Sequence, residues 1–465
     1  MPATAQIEHL LRRTEFVARP NRVAELVAKP SLEAAVDDVM NVWLNPGGTA
    51  TITRVDDWGM GEEYSYWWFD RMAFDSPRPM QEKMAMFWHG HFCTSLWKIE
   101  LFAPLRDQID FFRTAGLGNL RTLATTMSTQ PAMLRYLDND QNFVTSPNQN
   151  FGRELMELFL LGVGNYTEAD VQAVTAAWTG HTDVWTTGQY VWRPDLHDSS
   201  PKWFLGRKIN TDPAAAIYHG YETIDVMLGT NGAASGTIPA GAAVVANRGR
   251  PSRAVAAEFL SRKLWAFFAG TTPPGNVIAA LRDVALANGF AIKPWVRALL
   301  LRPEFYGVDV MQGLVRSPVD AMVAYQYATG LRARQAVPLW WLDGMGQRPL
   351  VPPDVSGWKH NAYYLNASAM GYRALAARYF MWTAMAGFWA GDGLLHLGAG
   401  PISRAQVEAL AGAPEQFVDL LLSHMRFTPT PHSRSVLDDF ARSTAWPHWP
   451  NLVLLVLMLP EMHTA

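Results

Sequence analysis

The sequence predicts a mainly α protein, a multi-helix globular bundle with a small β-hairpin or ordered loop element around residues 182–208. Apolar residues recur at three- and four-residue spacing through most of the chain, the mark of helices with one buried face. At 465 residues, 49% hydrophobic and 17% charged, the chain can bury a large core and lies far from disordered compositions. Alternation with period two is confined to one stretch.

In chain order, helices are expected in "IEHLLRRTEFV", "SLEAAVDDVMNVWL" and "PMQEKMAMFWHGHFCTSLWKI", then in "LRTLATTMST", "SPNQNFGRELMELFLLG" and "TEADVQAVTAAWTG". Ser146 is expected to cap the fifth, with Pro147 at its first helical position and Gly162 beyond its end. Thr167 caps the sixth, with Asp170 three residues on as its capping-box partner. Between Thr182 and Lys208, aromatic and polar residues alternate around turn chemistry. Residues 229–251, rich in Gly and Ala and poor in charge, read as a mobile insertion. "RAVAAEFLSRKLWAFFAG" and "SPVDAMVAYQYATG" return to helix. No linker divides the chain, so a single domain over 1–465 is expected.

A formal charge of −3 leaves no basic excess for nucleic acid or an anionic membrane. Cys93, the single cysteine, excludes an intramolecular disulfide and any thiolate-rich zinc site. The N-terminal segment has no basic region followed by an apolar one, and no apolar run reaches membrane-spanning length. A cytoplasmic protein is the expectation.

The side chains with chemistry are His89, His91, Glu154, Glu157, Asp170, His197 and Asp198. This mixture of imidazole and carboxylate suits a transition metal, with Cu or Fe favoured and Mn or Zn also compatible. Metal ligands are expected from His89, His91, Glu154, Glu157 and His197, and acid/base work from His197 and Asp198 in their polar loop. Glu154 and Glu157, three apart on one helix, share a face, but Arg153 stands four residues before Glu157 and offers it an ion pair. Asp170 is better read as a cap. Residues 87–92, "FWHGHF", pose a problem, because helical positions two apart point about 200° from each other. Both histidines reach one centre only if the backbone leaves α geometry near Gly90, through a π-bulge or a helix end.

No G-x-S-x-G elbow or strand-linked glycine fingerprint is present, so nucleophilic-hydrolase and nucleotide folds are not supported, and Cys93 reads as a core residue. Aromatic residues lie close to polar ones in "YSYWWFD", "WRPDLHD", "LWWLDG" and "SGWKHNAYYL", as in pockets for planar ligands, although a helical core also needs such bulk. The expected function is a metal-dependent oxidoreductase acting on a small molecule, an aromatic one among the options. A metal-dependent hydrolase and a non-catalytic scaffold with a buried polar network are the alternatives.

"HLLRRTEF", "EKMAMFWHGHFCTS", "PAMLRYLDNDQN", the long run from "PNQNFGRELMELFLLG" to "AAWTG", "HDSSPKWFLG", "RKLWAFF", "LRPEF" and "MGQRPLVPPDVSGW" occur in an order that resembles the DUF1800 family, a bacterial domain of unknown function. The resemblance covers nearly the whole chain. It implies no reaction. Family members are often secreted and encoded beside a second protein family, which implies a protein partner from a neighbouring gene. Against the family pattern, His181 replaces an aromatic residue, "PPDVSGWKH" replaces "PPNVAGWPG", and 229–251 is longer, which points to a specialised substrate.

Overall fold

The computed structural model describes residues 1–42, 47–229, 244–245, 249–311, 313–390 and 401–465. Helices account for most of them, and the strands pair only in short antiparallel hairpins. Most of the expected insertion at 229–251 lies outside the described residues.

Two helices lie at the centre because they are apolar on nearly every face, which leaves no side for water. Pro79–His91 is buried at every position except Gly90, and every residue of Pro318–Thr329 is buried. Proline opens both, supplying a preset φ where no N–H is needed. The two charged residues of the first helix, Glu82 and Lys83, are held by partners, as burial demands. Glu82 accepts from Trp68 Nε1 at 2.9 Å and from Arg113 Nε at 2.8 Å. Lys83 Nζ donates to Asp320 of the second central helix at 2.6 Å.

Distant parts of the chain close around this pair. Arg13 Nη2 donates to Val310 O at 2.5 Å, Arg316 Nη1 to Phe16 O at 2.7 Å and Arg316 Nε to Thr464 O at 3.0 Å. Ala465 N donates to Leu314 O at 2.9 Å. Among the described residues no helix is long and apolar enough to cross a membrane.

The alternating stretch forms two hairpins, His181–Val184 with Gln189–Trp192 and Lys202–Phe204 with Arg207–Ile209. Thr167 and Asp170 make the expected capping box, and Asp170 Oδ1 also accepts from Leu205 N at 2.9 Å, tying that helix to the second hairpin. The helix expected from Ser146 begins instead at Asn150. Side-chain amides explain the delay: Asn142 Oδ1 accepts from Asn148 N and Asn148 Oδ1 from Asn150 N, each at 3.0 Å, so these backbone donors are satisfied without a helical turn.

Candidate metal centre

The expected ligands fall in separate places. His89 and His91 occupy one α-helix that continues to His91, with no distortion at Gly90. Their rings therefore meet different neighbours. His89 Nε2 accepts from Leu350 N at 3.1 Å beside Trp358, whereas His91 Nε2–H donates to Phe159 O at 3.0 Å beside Phe87. Gly90 serves another purpose. Gly357 passes so close that a Cβ on it would lie 2.0 Å from Gly90 O, while a Cβ on Gly90 would lie 3.3 Å from Trp358. Glycine at 90 lets the 350–358 loop lie against the helix.

Burial alone pushes His89 down to about 3, so it is a neutral acceptor for the Leu350 amide. His89→Ala would leave that N–H buried without a partner and open a cavity, at an expected cost of about 3 kcal/mol. A fall in the urea midpoint measures it; an unchanged midpoint would mean that the loop does not depend on this ring.

The departure from α geometry occurs on a different helix. Asn150–Glu154 passes into a π-helical turn at Leu155–Leu160, where Leu161 N and Gly162 N both reach back to Met156 O. Carbonyls of this last turn find side-chain donors: Leu158 O accepts from Lys263 Nζ at 3.1 Å and Phe159 O from His91. The wider turn also changes the partner of Glu157. The expected Arg153–Glu157 pair does not form; Arg153 binds Glu168 at 2.8 Å, and Glu157 accepts from the Tyr166 hydroxyl. Glu154 is half-buried, and burial followed by repulsion from Glu157 raises it above the usual carboxylate range.

His197 is the expected ligand that meets another imidazole. Its Nε2 lies 2.9 Å from Nδ1 of His219, a residue the sequence reading missed. The hairpins bring the two together: His197 follows the turn after Gln189–Trp192, and His219 begins the helix His219–Leu228 that follows Arg207–Ile209. The aromatic-His-Gly run "YHG" at 218–220, which repeats "WHG" at 88–90, was the available signal.

The protonation of this pair follows from its outer partners. His219 Nε2 faces Asp212 O at 2.9 Å, and His197 Nδ1 faces Thr179 O at 2.8 Å. A carbonyl only accepts, so both outer nitrogens carry hydrogen. Thr179 Oγ, also 3.1 Å from His197 Nδ1, gives its own proton to Ala176 O and cannot reverse that assignment. With both rings neutral, two lone pairs face each other across 2.9 Å. Two facing lone pairs repel, and a proton shared between the two nitrogens would relieve that repulsion. Burial, the leading cause in each case, pushes both imidazoles below their ordinary range and so works against a third proton.

Asp198 adjoins the pair but is held by Lys202 Nζ at 2.9 Å and by Ser200 Oγ at 2.6 Å. His181 lies near it, its ring 4.7 Å from Trp192, which in turn lies 5.0 Å from His197. His181 Nδ1 bonds the Tyr190 hydroxyl at 2.9 Å, and its buried Nε2 has no partner. Among the described residues no group of three or more His, Cys, Asp or Glu is placed to hold an ion, and the closest pairing of imidazoles is that of His197 and His219.

The molecule is thus a large helical protein carrying a buried imidazole pair between two hairpins. It belongs to the DUF1800 family, whose model, described as a protein of unknown function, matches residues 9–464. No curated protein and no solved structure matches it.

Proposed function

We propose that this protein is a metal-dependent oxidoreductase for a small molecule, with a transition ion held by His197 Nε2 and His219 Nδ1. The observation that carries the reading is the inward pair of lone pairs, each ring oriented by an outward N–H on a backbone carbonyl. Metal-ligating histidines are commonly fixed in this way. Nitrogen donors with open positions suit Cu or Fe, and also Mn or Zn. The redox reading is favoured over hydrolysis because Asp198, the adjacent carboxylate that would serve as base, is bonded to Lys202 and Ser200. Trp192, half-buried beside the pair, offers a planar face to an aromatic substrate.

A second reading is favoured by the ring centroids, which are 5.1 Å apart. With the nitrogens 2.9 Å apart, that separation is nearly head-on, as in an imidazole–imidazolium pair sharing one proton, whereas two rings on one tetrahedral ion at about 2.1 Å would hold their nitrogens about 3.4 Å apart. Elemental analysis of protein purified without chelator separates the two. About one Cu, Fe or Mn per chain, with an EPR or visible signal, is expected for the metal centre. Metal-free protein that takes up none of these ions, with a low-field proton resonance from the pair, would establish the shared proton.

A further inference from the structure

A cavity of about 640 Å³ opens between the helices Thr4–Thr14 and Pro20–Val27, the central helix Pro318–Thr329, and residues 425–430 and 461–464. Its size is that of small-molecule sites. Most of its wall is apolar, but Arg12, Arg316 and Arg426 stand in it together with Glu8 and Glu461. Arg316 is 4% exposed, and its Nε and Nη1 are bonded to backbone carbonyls, which leave its charge unneutralised.

The acids nearby are already engaged. Glu461, in the cavity wall, accepts from Thr430 N at 2.8 Å and Ser433 Oγ at 3.1 Å, and Glu8, also in the wall, forms an ion pair with Arg12 at 3.5 Å. Asp320, which attracts Arg316 and Arg13, is bonded to Lys83 at 2.6 Å. Arg13 is fully buried, and Arg12 Nε, Arg13 Nε and Arg13 Nη1 are buried with no hydrogen-bond partner. Burial, and repulsion from Arg316 and Arg12, push Arg13 down to about 9; burial, together with Arg12 and Arg373, pushes Arg316 to about 10. Four cations, Lys83, Arg12, Arg13 and Arg316, thus share two close acids, Asp320 and Glu8, and the excess positive charge favours a further anion.

We propose that this cavity binds an amphipathic anion, with a carboxylate or phosphate head at Arg12 and Arg316 and an apolar body against Val17, Val23, Ala324 and Met425. Charge complementarity selects the head, and the wall selects the tail. The site shares no residue with the imidazole pair.

Calorimetric titration of the full chain with decanoate, decyl phosphate and decanol tests this. Saturable binding of decanoate or decyl phosphate at one per chain is expected, with decanol at least tenfold weaker; whichever anion binds more tightly identifies the source of the head. Arg12→Met, which keeps most of the side-chain stem, should weaken the anion at least tenfold and leave decanol unchanged. Ala24→Trp, which adds bulk at the exposed rim, should weaken all three. Equal affinity for decanol and the anions, or no loss in Arg12→Met, would overturn the anionic assignment. Absence of binding by any of them would overturn the site.

Discussion

His219→Ala is expected to lower bound transition metal to below about a tenth of the wild-type content, and His197→Ala to do the same. Each substitution removes one of two ring nitrogens 2.9 Å apart, and among the described residues no third His, Cys, Asp or Glu is placed to take over. His89→Ala and His91→Ala should keep the wild-type content although they cost stability, because their rings bond Leu350 and Phe159 on different sides of one helix. Metal per chain by elemental analysis, with circular dichroism as the control for folding, gives the comparison. Full metal content in folded His219→Ala would remove this pair from the centre. Loss in the His89 and His91 variants alone would return the centre to the doublet.

Gly357→Ala is expected to destabilise the protein by about 3 kcal/mol or more. Its φ of +76° disfavours any Cβ, and the added atom would lie 2.0 Å from Gly90 O, which belongs to a buried helix and cannot yield. The loop would have to lift, stretching the Leu350 N–His89 bond and the bond from Cys93 Sγ to Asp354 O. Gly206→Ala is the matched control, with a φ of +73° and nothing within 4 Å of the added carbon. That change should cost only about 1 kcal/mol, the backbone part alone. The difference in urea midpoint isolates the contact, and equal losses would mean that helix and loop do not touch this closely.

What the sequence revealed depended on the range of each interaction. The Thr167–Asp170 box is local, three residues apart on one turn, and could be read directly from residue types. The two hairpins were legible as one alternating region, because alternation and turn residues are local as well. The His197–His219 contact spans 22 residues and depends on how two hairpins fold back. No periodicity records that. The purpose of Gly90 was hidden for the same reason, since the side chain that occupies the space is that of Trp358. Glu157 shows a subtler failure: four-residue spacing pairs it with Arg153 only on a regular α-helix, and the π turn beginning at Leu155 breaks that arithmetic.

The arginine contacts bear on how the chain reaches its native state. Arg316 binds residues 300 positions earlier and 148 positions later, and Arg13 binds a carbonyl 297 positions away. Helical proteins usually fold fast because their contacts are local, but these bonds can form only after very long loops have closed. Secondary structure should therefore appear well before the cation cluster docks, leaving an intermediate that is helical yet lacks the 640 Å³ cavity. An anion that fills the cavity would bind only the finished state. It would then slow unfolding far more than it hastens folding.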